Sequence, residues 1–307
     1  MQTLLPALLP RRIDCAFARE RLELADGDFV DLDWLRAGHA RVAILTHGLE
    51  GDTRANYIRG QARALADGGW DVLAWNFRGC SGVPNRLLRY YHAGDTGDLG
   101  AVVAHAAARY ARIALVGFSL GGNVTLKYLG EAPPHPAVAA GVAIDAAVDL
   151  ASCVRRLDRE RANWLYRRHF LATLLDKIEA KARQFPGQLN LAGLHRIRGI
   201  EEYDDRYAAP IHGFRDAADY YARSSARQFL PRIAVPALLL NARDDPFLAP
   251  ACFPESEAEQ SAHLHLEAPA HGGHIGFLDL ARGVQPWSER RVLEFLDAAF
   301  APIGERA

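Results

Sequence analysis

The chain has 307 residues, a formal net charge of −1 and a hydrophobic fraction of 50%. That length suggests one large domain or two small ones, and the hydrophobic content is ample for a buried core. The charge gives no global reason to expect a nucleic acid or an anionic membrane as partner, and no apolar run approaches the ~18 residues of a membrane span.

Neither the first residues nor the cysteines indicate secretion. Met1–Pro10 is apolar but short, and the first charges, Arg11 and Arg12, follow it, which is the reverse of a secretory signal. The four cysteines are far apart and lack metal-ligand spacing: Cys15, Cys80, Cys153 and Cys252. We therefore expect free thiols in a reducing cytoplasm.

Strand and helix patterns alternate along most of the chain. Two strand-like stretches flank the turn signal Asp26-Gly27-Asp28, and the later strands are continuous apolar runs, as in a parallel sheet covered on both faces. A helix opens near Leu99, with Thr96 or Asp98 as its expected cap, and the chain closes with a helix over Arg290–Phe300. The predicted strands are 17–24, 29–35, 42–45, 72–75, 113–116, 142–144, 237–240 and 264–266. This order predicts an α/β architecture with a mostly parallel central sheet and antiparallel N-terminal strands.

The stretch 151–230 breaks the alternation because it lacks strand patterns. Its clearest helical pattern places Leu171, Leu174, Leu175 and Ile178 on one face. We therefore predict a core made of residues 1–150 and 231–307, with 151–230 inserted as a helical cap or lid.

The charges of this insertion have two interpretations. Nine Lys or Arg stand against four Asp or Glu between Arg155 and Arg183. They form either a solvated helix face or a basic amphipathic surface that meets phospholipid or an anionic substrate. Trp164, Leu165 and Phe170 suggest a wall for an acyl chain, and they fit a core equally well.

The pentapeptide Gly117-Phe118-Ser119-Leu120-Gly121 lies between a strand pattern and a helical pattern. A strand, a tight turn and a helix around G-x-S-x-G are typical of a nucleophile elbow, in which the serine hydroxyl projects from the carboxyl edge of a sheet. Ser119 is therefore the predicted nucleophile.

A serine hydroxyl needs a base, and that base needs an orienting acid. His274 is the preferred base because Gly272-Gly273 lets its loop approach the serine closely, whereas His271 is interpreted as a structural loop residue. No metal or organic cofactor is needed for this chemistry.

The acid is either Asp244 or Asp245, which follow a late strand. Asp245 is favoured because it directly precedes Pro246, which stiffens the loop, and the other carboxylate could cap the loop or accept backbone amides. Asp145 and Asp149, after an earlier strand, are outside candidates.

The oxyanion of a tetrahedral intermediate needs two donors. One is the backbone N–H of Leu120, and the other is expected from the loop His47-Gly48-Leu49, where the N–H of Leu49 is the predicted donor.

Three further motifs have competing interpretations. Arg78 either fastens loops through a carboxylate or binds an anionic headgroup, and Cys80 fits a small buried residue better than a second nucleophile. The loop at His92 fits a helix cap, with a metal site as the minor alternative: His92, Asp95 and Asp98.

Six motifs occur together in one order: HGLEGDTRANYIRG, NFRGCSGVPNR, YHAGDTGDL, VGFSLGGNVTLKYLGE, NARDDPF and HGGHIGF. They closely resemble the YheT-like α/β-hydrolases, family 4 of the AB hydrolase superfamily, whose bacterial members are regarded as esterases. Eukaryotic relatives hydrolyse phospholipids, acylglycerols and other esters. The resemblance runs from about residue 17 to 300 and is weakest over about 151–200. It implies an α/β-hydrolase fold, with Asp245 as the acid and His274 as the base.

Together these features predict a serine hydrolase that cleaves carboxylic esters through an acyl-enzyme. Its substrate would be a small-molecule ester, with lipid-like or short to medium acyl groups. Acyl transfer and thioester hydrolysis are the alternatives, because the same three residues serve both. A non-catalytic binding protein of the same fold is a remote third.

Overall fold

The computed structural model describes residues 13–278 and 286–301, so the prediction made for Met1–Pro10, Arg11 and Arg12 lies outside the described residues. Eight strands form one sheet in the order β1-β2-β4-β3-β5-β6-β7-β8. The strands are β1 Ala18–Glu23, β2 Phe29–Leu35, β3 Arg41–Thr46, β4 Asp71–Trp75, β5 Arg112–Phe118, β6 Val138–Ile144, β7 Ala237–Leu240 and β8 Leu264–Glu267. β2 is antiparallel to β1 and β4, and every other neighbouring pair is parallel. The predicted architecture is confirmed.

Helices cover both faces of this sheet. The α-helices are α1 Asn56–Asp67, α2 Thr96–Ala107, α3 Leu120–Glu131, α4 Leu150–Arg159, α5 Trp164–Gln184, α6 Ile200–Tyr203, α7 Ala209–Ile211, α8 Ala217–Ser224, α9 Glu255–Glu259 and α10 Trp287–Phe300. Alternate residues of β3 enter different cores: Val42 and Ile44 pack with α2 and α3, and Ala43 and Leu45 pack with α1 and α10. Because both faces are buried, the strand reads as a continuous apolar run.

The predicted cap of α2 is wrong. The helix begins at Thr96, and Asp95 precedes it without a capping hydrogen bond from its side chain. The two predicted cap residues have other partners, since Thr96 Oγ1 donates to Glu131 and Asp98 binds the Arg78 guanidinium. The carboxylate of Asp98, which the local pattern predicted as a helix cap, is therefore bound in a buried ion pair with Arg78.

The stretch between β6 and β7 contains α4 to α8 and no strand among its described residues. Its apolar side chains join the core on the α2 and α3 face of the sheet, including Leu171, Leu174 and Ile178. The division of the chain into a hydrolase core and a lid over 151–230 stays a prediction.

All four cysteines are free thiols, although Cys153 and Cys252 bring their sulfur atoms to 3.2 Å. No helix in the described ranges combines the length and apolar character needed to cross a membrane. The cytoplasmic location stays a prediction.

Asp204 is a buried carboxyl group in a π-type turn, Asp204–Ala208, directly after α6. Its side chain lies in an apolar setting, with the Tyr221 hydroxyl donating to Oδ2 at 2.7 Å. In the described part of the chain it forms no ion pair with a Lys or Arg. Burial disfavours the charged form, which raises the pKa of Asp204 to about 7.

This raised pKa predicts a pH-dependent stability that Asp204→Asn removes. Between about pH 4 and about pH 7, native Asp204 keeps its proton while Asp204 of the unfolded chain loses it. The free energy of unfolding of the wild type therefore falls as pH rises through this range, and it remains at the lower value above about pH 7. The unfolding free energy of D204N minus that of the wild type should therefore rise between pH 4 and pH 8, by at most about 4 kcal/mol. Urea denaturation of both proteins at several pH values measures it.

The matched control is Asp205→Asn, which changes the exposed neighbouring carboxylate. A D204N difference that is flat with pH, or that D205N reproduces, would contradict the prediction.

Candidate active site

Ser119 lies at the sharp turn between β5 and α3. Its backbone has φ 53° and ψ −117°, a combination that non-glycine residues rarely adopt. The flanking glycines permit the turn: a Cβ on Gly117 would lie 2.3 Å from the Gly121 carbonyl oxygen, and one on Gly121 would lie 2.4 Å from the Thr46 and His47 carbonyl oxygens. The hydroxyl therefore sits beside the N-terminal end of a twelve-residue helix, where the helix dipole favours negative charge.

Asp245 and His274 form a largely buried pair on the loops that follow β7 and β8. His274 Nδ1 lies 2.6 Å from Asp245 Oδ2, and the Asp245 side chain is fully buried. The Phe247 amide donates to the other oxygen, Oδ1, at 2.7 Å, so both carboxylate oxygens have fixed positions. This carboxylate therefore binds the Nδ1 edge of the imidazole and does not occupy Nε2.

The neighbouring carboxylate, Asp244, organises the histidine loop instead. Its Oδ1 accepts the amides of Gly272 and Gly273 at 2.8 and 2.7 Å. His271 lies 3.4 Å from Asp244 Oδ2 with a side chain that is 79% exposed. The two adjacent aspartates thus divide their contacts, one to the loop backbone and one to the imidazole.

Asp145, at the end of β6, braces the same loop. Its two oxygens accept the amides of Ala242 at 2.9 Å and Ile275 at 2.6 Å, and burial together with nearby Asp245 raises its pKa well above the usual range. Asp149, the other outside candidate for the acid, caps α4 by accepting the Ser152 amide at 2.9 Å.

These contacts bring the His274 loop to the elbow. The Ser119 amide donates to the Ile144 carbonyl at 2.8 Å, and the next residue along β6, Asp145, holds the amide of Ile275. The Phe247 ring packs 4.5 Å from the His274 ring, and Phe247 lines a cavity together with Ser119. The serine, the imidazole and the buried carboxylate therefore share one edge of the sheet.

A cation is not the best explanation of this cluster. The ligand atoms of Asp145, Asp245 and His274 lie within 4.8 Å of one another. However, all four carboxylate oxygens already face N–H donors, three from amides and one at His274 Nδ1. The donor set thus suits orientation of an imidazole better than binding of a metal.

The loop after β3 passes directly beside Ser119. A Cβ on Gly48 would lie 3.2 Å from the Ser119 Cβ. Three amides of this loop have partners: Gly48 donates to Tyr57 at 3.0 Å, Glu50 to Tyr91 at 2.8 Å, and Gly51 to the Gly48 carbonyl at 3.1 Å.

Leu49 and Leu120 differ from these amides. Neither donates a backbone hydrogen bond to another described residue, and both residues line the cavity together with Ser119. Two uncommitted amides on either side of a serine form a suitable site for a developing oxyanion.

The His47 side chain orients the loop after β3 through the Gly48 carbonyl. Its Nε2 accepts the Phe77 amide at 3.1 Å, so the proton resides on Nδ1, which donates to the Gly48 carbonyl at 2.8 Å. Complete burial lowers the pKa of His47 to about 4, which keeps the ring neutral. By turning the Gly48 carbonyl toward the ring, His47 directs the following amide, that of Leu49, away from it.

An apolar cavity of about 130 Å³ opens at Ser119. Its walls come from the core loops and from the inserted helices, including Leu157, Phe170, Leu174 and Phe247. Of the three residues expected to form an acyl wall, only Phe170 lines this cavity, and Trp164 and Leu165 are 48% and 56% exposed.

Arg78 and Cys80 do not line the cavity. Arg78 fastens loops, since it binds Asp98 through two 2.7 Å contacts and also Asp26 and Asp28. Cys80 is buried, which raises its thiol pKa to about 12 and makes it a poor nucleophile.

The minor metal alternative at His92 is wrong for the described residues. His92 packs against the rings of His212 and Phe214, while Asp95 pairs with Arg89 and Asp98 with Arg78. Its three members thus turn to different partners.

Sequence reasoning missed two groups beside the cavity. One is Asp204, which lines the cavity, and the other is the contact of Glu50 with Tyr91 and Lys177. For Glu50, the one sequence signal of a role near the site is its position inside the motif HGLEG. Lys177 is one of many charged residues in its helix, and no local pattern distinguishes it from the others.

Comparison with known proteins gives the same picture. A family model described as the alpha/beta hydrolase fold matches residues 43–280. A protein of Escherichia coli named "Putative esterase YheT" is 37% identical over 96% of this chain and 89% of its own length. The mouse protein named "Phospholipase ABHD3" is 30% identical over 97% of this chain and 74% of its own length.

Solved structures agree on the fold. The Pyrococcus furiosus esterase Pf2001 has a TM-score of 0.62 with 18% identity, covering 94% of this chain and 97% of that one. The resemblance to YheT-like proteins is confirmed, and the chain belongs to the α/β-hydrolase family.

Proposed function

We propose that the protein is a serine hydrolase that cleaves carboxylic esters through a covalent acyl-enzyme. The observation that carries the proposal is the buried 2.6 Å contact between His274 Nδ1 and Asp245 Oδ2, on a loop braced against the strand end beside Ser119. The names of the relatives, an esterase and a phospholipase, support an ester as the substrate class.

In the proposed reaction, Ser119 Oγ attacks the ester carbonyl and His274 Nε2 takes its proton. Asp245 keeps the imidazole in the tautomer with Nδ1 protonated and stabilises the imidazolium that forms. The amides of Leu49 and Leu120 donate to the oxyanion, each contributing about 3 kcal/mol. His274 then protonates the leaving alcohol. In the second half of the reaction a water molecule attacks the acyl carbon, and His274 takes the proton of that water. It then returns this proton to Ser119 Oγ as the carboxylic acid leaves.

Residues 151–230 act in this proposal as a lid that completes the acyl pocket. Acyl transfer to an alcohol and hydrolysis of a thioester use the same residues, so the acceptor that reaches the acyl-enzyme decides between them. Product analysis with an added alcohol acceptor, and a thioester substrate, separate these outcomes from ester hydrolysis.

Ser119→Ala should abolish reaction with a fluorophosphonate probe and lower ester turnover by about 10⁴- to 10⁶-fold. The reason is that the variant lacks the only atom that forms the proposed covalent bond. Mass spectrometry should find the label of the wild type on the peptide that contains Ser119. Equal labelling of both proteins, or intact activity of the variant with p-nitrophenyl butyrate, would contradict the proposal. A wild type that cleaves no p-nitrophenyl ester would favour the remote alternative of a non-catalytic binding protein.

Asp245→Asn and Asp244→Asn form a matched pair of adjacent substitutions. D245N removes the acceptor that holds His274 Nδ1–H and should lower kcat by about 10⁴-fold. D244N changes the contacts to the Gly272 and Gly273 amides and to His271 but leaves the contact between His274 and Asp245 in place, so kcat should stay within about tenfold while thermal stability falls. Steady-state kinetics and thermal melts measure both effects. A larger kcat loss in D244N would assign the acid to Asp244 and contradict the proposed role of Asp245.

The cavity predicts a preference for short acyl groups. A volume of about 130 Å³ is similar to an apolar cavity that holds one benzene ring, so kcat/KM should fall from butyrate to octanoate p-nitrophenyl esters. Leu174→Ala enlarges the pocket and should raise the octanoate-to-butyrate ratio at least about fivefold, since the fit of one methylene is worth about 1–3 kcal/mol.

Leu171→Ala is the control, because Leu171 is buried on the same helix but does not line the cavity. An equal change in ratio for both variants would show that the cavity wall does not set acyl length.

A further inference from the structure

Glu50, the residue after the proposed oxyanion donor Leu49, has a backbone conformation that is unfavourable for a non-glycine residue. Its φ is 52°, in the left-handed region. The hydroxyl of Tyr91 fixes this conformation twice, because it accepts the Glu50 amide at 2.8 Å and donates to Glu50 Oε1 at 2.5 Å. The orientation of the Leu49–Glu50 peptide therefore depends on the position of the Glu50 side chain. This peptide adjoins the Gly48–Leu49 peptide, which carries the amide of Leu49, so a rotation at Glu50 also displaces that amide.

A lysine from the inserted helices holds that side chain. Lys177, on α5, places Nζ 2.7 Å from Glu50 Oε1, and each side chain is only 11% exposed. The same ammonium lies 4.6 Å above the Tyr91 ring and 3.5 Å from Cys80 Sγ. A buried ion pair of this kind needs both partners, because removing one leaves an uncompensated charge.

We propose that Lys177 is a positioning residue that keeps the amide of Leu49 aimed at the oxyanion site. It does so by holding Glu50 in its left-handed conformation for as long as α5 packs on the core. This inference rests on the proposed serine hydrolase reaction. Phe170 and Leu174 of the same helix line the cavity, so one rigid element both walls the acyl pocket and orders the oxyanion loop.

Lys181, one turn further along α5, provides a matched comparison. Its Nζ donates to the carbonyl oxygens of Asn85 and Leu87, and the residue is only 4% exposed. It fastens the same helix to Asn85 and Leu87, which form no hydrogen bond with Glu50 in the part of the chain that the structure describes. Loss of either ammonium should lower stability, but only loss of Lys177 should disturb the oxyanion loop.

The experiment compares Lys177→Met with Lys181→Met on p-nitrophenyl butyrate. Active sites are counted by fluorophosphonate labelling taken to completion, so that misfolded protein does not enter kcat. We expect K177M to lose about 10- to 100-fold in kcat per active site with KM changed less than threefold, because an oxyanion donor acts in the transition state. K181M should keep kcat per active site within threefold of the wild type, even if its melting temperature falls as much as that of K177M.

Two further variants keep the test decisive if K177M folds poorly. Glu50→Gln keeps an oxygen for Tyr91 but removes the charge that Lys177 binds, and it should lower kcat per site at least fivefold. The double variant E50Q/K177M should be no slower than K177M, since both changes break one interaction. Lys177→Arg keeps a positive charge beside Glu50, so its kcat per active site should fall less than that of K177M.

The proposal is overturned if E50Q and K177M retain wild-type kcat per active site, or if K181M loses as much as K177M. A wild type that the probe does not label at Ser119 would instead contradict the proposed hydrolase reaction. The two failures are therefore distinguishable.

Discussion

The close approach between the β5–α3 turn and the end of β3 is the constraint on which the site depends. At Gly121 the backbone of the turn is so near the Thr46 and His47 carbonyls that no side chain fits between them. The same approach brings Gly48 against the Cβ of Ser119. Ser119 and the loop of amides beside it are thus placed by backbone packing, and side chains such as His47 only adjust the direction of single peptide groups.

Unfavourable backbone conformations concentrate around this approach. Five described non-glycine residues have positive φ, and all lie in the site loops: Glu50, Ser119, Asp145, Ile275 and Phe277. Conformations of this kind cost about 1–3 kcal/mol each and persist only where the surroundings fix them. Tyr91 fixes Glu50, and Asp145 holds the amide of Ile275. The hydrogen bonds around the site therefore stabilise strain that the strands and helices alone do not require.

Much of this arrangement could be predicted from local pattern. The strand–turn–helix around Ser119 is encoded within a few residues, and the polar residues after each apolar run had to meet at one edge of a parallel sheet. Contacts between distant segments could not be predicted in this way. Asp244 and Asp245 differ by one position, and only the path of the loop decides which of them faces His274.

The inserted helices were the least predictable part, because their pattern does not show which face turns inward. Trp164 and Leu165 are exposed where a wall was expected, and the pairing of Lys177 with Glu50 depends on how the whole insertion crosses the core. No local spacing encodes such a contact.

The electrostatics of the paired aspartates follow from the same packing. Asp145 and Asp245 are both buried and close together, and two negative charges there would repel strongly. Burial and the neighbouring charge raise the pKa of Asp145, so that carboxyl is the one favoured to stay neutral while it accepts the loop amides. Asp245 Oδ2 lies 2.6 Å from His274 Nδ1. An imidazolium formed during the proposed reaction would meet this buried carboxyl group at a fixed distance, and a neutral Asp145 would not add a second, uncompensated charge to the core.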